Sequence, residues 1–168
     1  SGAVRAQLLF VLHRNEAALK QMESTLAARP NGVLEHRIAV WVYLSLHRYP
    51  EAERQMRLSS RHDPDGKALL VRGIADPHLR ASAVAALETS PGMDDLRHDA
   101  IVHAVFLVAL GANERALAVL DEFAINGDST TPQLLWYPAF DPIRNEPRFK
   151  AVLRKIDLPY TPEKSDTP

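Results

Sequence analysis

Set against itself at an offset of 34 residues, the chain repeats: Leu12, His13, Arg14, Ala18, Gln21, Met22, Pro30 and Gly32 return as Leu46, His47, Arg48, Ala52, Gln55, Met56, Pro64 and Gly66. A period of this length is that of a helix–turn–helix unit, which is too small to bury its own apolar face and therefore stacks on its neighbours. The repeat thus predicts an all-α chain of paired helices.

Within each unit the positions have separate physical jobs. Two helices that cross closely need a small side chain at the crossing, and Ala18 and Ala52 fill that place. Met22 and Met56 follow four residues later on the same face. His13-Arg14-Asn15-Glu16 and His47-Arg48-Tyr49-Pro50 fall at the tight turn between helices, where Pro50 suits the first turn of a second helix because its missing N–H costs nothing there. Pro30-Asn31-Gly32 and Pro64-Asp65-Gly66 read as the stops that close the first two units.

The first two units span residues 3–32 and 33–66. A third unit, residues 67–92, is expected to have a shortened first helix from Leu69 to Ile74, an alanine-rich second helix from Pro77 to Thr89, and Pro91-Gly92 as its stop. A fourth, residues 94–128, begins with one long apolar helix carrying Leu96, Ile101, Val105 and Leu107. Leu110-Gly111 turns it, and Ala116, Leu120 and Phe123 continue the inner face. Residues 131–158 read as a cap. Asp141-Pro142 and Asn145-Glu146-Pro147 each set a capping side chain before a first-turn proline, and Phe140, Ile143, Phe149, Val152, Leu153 and Ile156 are available to close the stack. Residues 1–158 are thus expected to form one domain, and residues 159–168, polar and proline-rich, a loose tail.

Composition narrows the functional classes. Twenty basic against twenty-one acidic residues leave a formal charge of -1, which offers no general field for a phosphate polymer, so nucleic acid is not expected as a direct partner. There is no cysteine, hence no disulfide framework and no thiolate metal site; this suits the cytoplasm without excluding the periplasm. No apolar run reaches the roughly 18–20 residues that span a bilayer, and no signal-peptide pattern opens the chain, whose Ser1-Gly2-Ala3 reads as a cloning remnant.

On Leu9, Ala18 and Pro30, and again on Tyr43, Ala52 and Pro64, the chain resembles the tetratricopeptide-repeat family, whose units ask for a large residue on helix one, a small one early in helix two and a closing proline. The stretch Trp136–Phe149 further resembles the terminal element of bacterial regulatory proteins in which a winged-helix DNA-binding domain, a class III nucleotide cyclase or a kinase lies upstream. The resemblance implies a right-handed solenoid of about four helix pairs with capping helices. It also implies a non-enzymatic module that binds a protein, a peptide or another copy of itself, without a cofactor, as the regulatory part of a transcriptional or signalling protein. By the family's register, first helices line a groove, to which Gln7, Phe10, Val11, Arg37, Trp41, Leu44, Ser45, His98, Val105 and Val108 would belong. Gln7, Arg37, Trp41, Ser45, His98 and Val105 are the partner-binding candidates, with Trp41 and Arg37 as anchors.

Competing chemistry is thinly represented. Arg54, Arg57 and Arg61 share one side of a helix, but Glu51 and Glu53 lie beside them, as on a solvated outer face. Seven histidines form no H-E-x-x-H, and His98 and His103 are five apart, so no metal site is expected. No nucleophile elbow or phosphate loop is present, and the adjacent pairs Asp94-Asp95 and Asp121-Glu122 point in different directions along a helix, so no enzyme is expected. The alternatives are a small-molecule-sensing helical domain and the accessory domain of a nucleotide cyclase or kinase.

Overall fold

The computed structural model describes residues 1–127 and 129–157, and among them it is all-helical, without a strand. The expected tail lies outside the described residues. Packing divides the chain into two compact units, Ser1–Met93 and Asp94–Pro168.

The first unit holds three consecutive helix pairs: α1 (Gly2–Val11) with α2 (Asn15–Ala28), α3 (Val33–Ser45) with α4 (Tyr49–Ser59), and α5 (Pro64–Ala75) with α6 (Arg80–Thr89). Ala18, Met22 and Ala52 are wholly buried and Met56 nearly so, as crossing positions require. A larger side chain at either alanine would hold the helices apart. Helix α3 also packs against α1 and α2, and α4 against α5, so each pair is covered by the next.

The turn that closes the first two pairs is the same in both. After α1, His13 takes the left-handed conformation at φ 59°, its N–H bonds Phe10 O at 2.9 Å, and the Arg14 N–H reaches back to Leu9 O at 2.9 Å. After α3, His47 at φ 55° bonds Leu44 O at 3.1 Å and Arg48 reaches Tyr43 O at 2.9 Å. These bonds satisfy carbonyls that a helix end otherwise leaves unpaired. The Arg48 guanidinium lies 5.1 Å from the Tyr43 ring centroid, adding a contact across the second turn.

The third pair departs from the sequence expectation at its start. Pro64-Asp65-Gly66 does not close the second unit; it opens α5, because the Asp63 carboxylate accepts the Gly66 N–H at 3.0 Å and Pro64 stands in the first turn. Helix α5 is consequently a full 12 residues rather than a shortened one. Its connection to α6 is a 3-10 turn, Pro77–Leu79, capped by Asp76. Gly92 is required by a close approach, since a Cβ there would lie 2.4 Å from the Cβ of Asp63.

In the second unit the expected long apolar helix is broken. A single turn, α7 (Asp94–Arg97), is followed by α8 (Ala100–Ala109), because Asp99 caps α8 by accepting the Ile101 and Val102 N–H groups at 2.9 and 3.3 Å. The turn into α9 (Asn113–Asn126) reproduces the one after α1 and α3: Gly111 at φ 78° bonds Val108 O, and Ala112 bonds Leu107 O at 2.8 Å. Ala116 and Leu120 are wholly buried, matching Ala18 and Met22.

The last helix, α10 (Pro147–Lys155), packs on α9 and buries Phe149, Val152 and Leu153. It starts at Pro147 as expected, whereas Pro142 sits inside the 3-10 segment Pro138–Ile143 and starts no helix. Arg144 ties this region together. It donates to Leu135 O at 3.0 Å, Tyr137 O at 2.8 Å and Asp141 Oδ1 at 2.8 Å, and lies over the Phe149 ring. At the other end of α10, Lys155 donates to Phe123 O at 2.8 Å, a second bond to a carbonyl near the end of α9 that already accepts the Gly127 N–H at 2.8 Å.

Candidate functional site

In the first unit the candidate residues fall on one line of α3. Leu34, Arg37, Trp41 and Ser45 stand at i, i+3, i+7 and i+11, which places them along one side of the helix. Arg37 is exposed and Leu34 is 55% exposed, whereas Trp41 is only 7% exposed and belongs to the core. Ser45 is half-buried and donates its hydroxyl to Val42 O at 2.7 Å, so its proton is held by its own helix. Gln7 on α1 is half-buried, and Phe10, Val11 and Leu44 are buried. The line therefore offers an arginine and a leucine at the surface, with a buried indole on the same side of the helix.

In the second unit His98 is exposed at the break between α7 and α8, while Val105 and Val108 are buried in α8. His98 and Val105 consequently do not form one surface there. The residue missed by sequence reading is Leu34. Its signal was available, three positions before Arg37 on the same side, but a leucine in a helix is read first as core.

Charges around α4 are paired among themselves. Glu53 accepts from Arg57 at 3.0 Å and from Arg72 at 2.7 Å, and Arg57 also meets Asp65. The hydrogen bond from Arg72, reinforced by Arg57, holds the Glu53 carboxyl below its ordinary range. Glu51 is likewise lowered by its hydrogen bond from Arg48. The Tyr43 phenol is pushed up, first by burial and then by Glu23. Arg57 is thus committed to Glu53 and Asp65, while Arg54 and Arg61 are exposed beside that network.

Buried polar groups serve the joints between helices. His36 is buried with its Nε2–H donating to Pro30 O at 2.9 Å and its Nδ1 paired with the Gln55 side-chain amide at 2.6 Å, tying α3 to α4 and to the preceding loop. Glu35, buried beside it, pairs with Arg29 at 2.9 Å. Among the described residues no group of three or more His, Cys, Asp or Glu side chains is placed to hold a metal ion. No helix among them is long and apolar enough to cross a membrane.

No family model, no curated protein and no solved structure matches this chain.

Proposed function

We propose that the chain is a non-enzymatic binding module of the tetratricopeptide kind. In this reading its helix pairs stack as a right-handed solenoid, and it takes a protein or peptide segment along the first-helix surface. It would serve as the regulatory part of a bacterial transcriptional or signalling protein. The observation that supports the reading best is the turn shared by three helix pairs, at His13, His47 and Gly111, each followed five residues later by a wholly buried alanine. Repetition of one hairpin, rather than convergence of side chains on one point, is how a scaffold presents an extended surface.

The contact edge we assign is the α3 line. Arg37 supplies a charged fork for a carboxylate, Leu34 an apolar step, and Trp41 a rigid floor. A displayed library of random peptides selected on the protein tests this. Ligands should weaken about tenfold with Arg37→Ala and Leu34→Ala in variants that melt as the wild type does. Selected peptides that bind both variants with unchanged affinity would overturn the assignment.

A further inference from the structure

The chain holds two Asn-Gly pairs, Asn31-Gly32 and Asn126-Gly127. An asparagine followed by glycine is chemically labile, because no side chain on the second residue shields its backbone nitrogen from the amide carbon of the first. Asn31 is exposed in the turn Arg29-Pro30-Asn31-Gly32 between α2 and α3, so water reaches it. The nitrogen next to it is engaged, however: the Gly32 N–H closes the turn on Arg29 O at 3.1 Å. At the other pair, in the second compact unit, the Gly127 N–H bonds Phe123 O at 2.8 Å at the end of α9.

Three contacts reaching back from α3 hold the first turn shut. The His36 ring donates its Nε2–H to Pro30 O at 2.9 Å, the His36 backbone N–H bonds Gly32 O at 3.0 Å, and the buried Glu35 pairs with Arg29 at 2.9 Å. The Glu35 carboxylate also lies where a Cβ on Gly32 would fall, so a side chain there would displace it. The glycine that makes the pair labile is thus the one that admits the residue restraining it. Glu35 and His36 belong to the second helix pair and the turn ends the first, so these contacts are the joint between the two pairs.

We propose that Asn31 is a deamidation site gated by this joint. While Glu35 and His36 hold the turn, the Gly32 nitrogen stays on Arg29 O; when they release it, that nitrogen attacks the Asn31 Cγ. The new N–C bond forms, the Cγ–Nδ2 bond breaks, and ammonia leaves with the proton of the Gly32 amide, giving a succinimide. Water then opens the ring at either carbonyl. The net change is asparagine plus water to aspartate or isoaspartate plus ammonia, and nothing is oxidised or reduced. Aspartate sets a new carboxylate one residue from the position that Glu35 covers, and isoaspartate adds a methylene to the backbone of the turn. Both oppose reclosure, so the site records an opening of the joint. The inference does not rest on the proposed function.

The test incubates the folded chain in mildly alkaline buffer and follows the mass gain of about 1 Da on the digest peptides that carry Asn31 and Asn126. A free peptide with the sequence of residues 25–37 gives the unrestrained rate. Asn31 in the folded chain should convert at least about tenfold more slowly than in that peptide. Arg29→Gln takes the partner from Glu35; the Arg29 side chain is 65% exposed, so folding is retained. Conversion at Asn31 should then rise about three- to tenfold while that at Asn126 stays unchanged. Arg72→Gln takes an exposed partner from Glu53 elsewhere in the same unit and should leave the Asn31 rate as in the wild type. Conversion of folded Asn31 at the free-peptide rate, or an unchanged rate in Arg29→Gln, would overturn the proposal. So would equal acceleration by both arginine variants, which would assign the reaction to global unfolding instead of the joint.

Discussion

The left-handed residue in the shared turn is the most direct handle on the fold. His13 holds φ 59° and is exposed, and its imidazole has no hydrogen-bond or ring partner among the described residues, so its cost is mostly that of a Cβ in this conformation. Placing a non-glycine residue there costs roughly 1–2 kcal/mol, and glycine's greater freedom in the unfolded chain returns roughly 0.5–1 kcal/mol of that. His13→Gly should therefore stabilise by about 0.5–1 kcal/mol, His13→Asn by less, and His13→Val should destabilise by about 1 kcal/mol or more because a β-branched side chain tolerates the region worst. His47→Gly makes a useful second arm. His47 Nδ1 pairs with Tyr49 Oη at 2.9 Å and the two rings meet edge-on at 5.8 Å, so its gain should be smaller by about 0.5–1 kcal/mol. Urea titrations with equal slopes measure these differences as midpoint shifts. If His13→Val unfolded at the wild-type midpoint, or His13→Gly were clearly destabilising, the shared turn would not be the structure of this segment.

Three further outcomes follow from named contacts. Ala52→Leu should overpack the α3–α4 crossing and cost about 1–3 kcal/mol, while Arg54→Leu on the exposed side of the same helix should stay within about 0.5 kcal/mol; equal costs in thermal melts would refute the register. Arg144→Met should cost about 1–3 kcal/mol and loosen the Pro132–Ile143 segment first in hydrogen exchange, because Leu135 O loses the guanidinium and Tyr137 O keeps only the Phe140 N–H; uniform loss of protection would count against it. The Glu53 carboxyl is held below its ordinary value in the folded chain, so its stabilisation is present at neutral pH and lost as pH falls through the folded value. The difference between wild type and Glu53→Gln, below about 1 kcal/mol, should therefore vanish in acid, and a difference independent of pH would exclude the ion pairs as its source.

How far the fold could be read in advance depended on whether one residue had one physical use. Alanines at a helix crossing have one, and Ala18, Ala52 and Ala116 are all wholly buried. Proline has two: it serves a helix's first turn as readily as the stretch beyond its end. Pro64 therefore reads as a stop in the sequence, although the Asp63 carboxylate makes it a start. Asp99 was hidden for a related reason. The apolar run behind it continues without pause, and only its bonds to Ile101 and Val102, together with those from Ser129 and Thr131 some thirty residues later, reveal that the helix restarts there. Nothing local announces a partner at that distance.

The candidate site shows the same limit in another form. Helical spacing correctly sets Arg37, Trp41 and Ser45 on one side of α3, but spacing alone does not say how deep each side chain lies; that depends on what the neighbouring helices cover. The comparison of α1 with α3 makes this explicit. Val4 and Ile38 stand at equivalent positions at the offset of 34, and one is half exposed and the other sealed, because α1 and α2 pack against α3. In a chain built by repetition, burial is a property of position in the stack as much as of the residue, and the departures from the repeat carry the information.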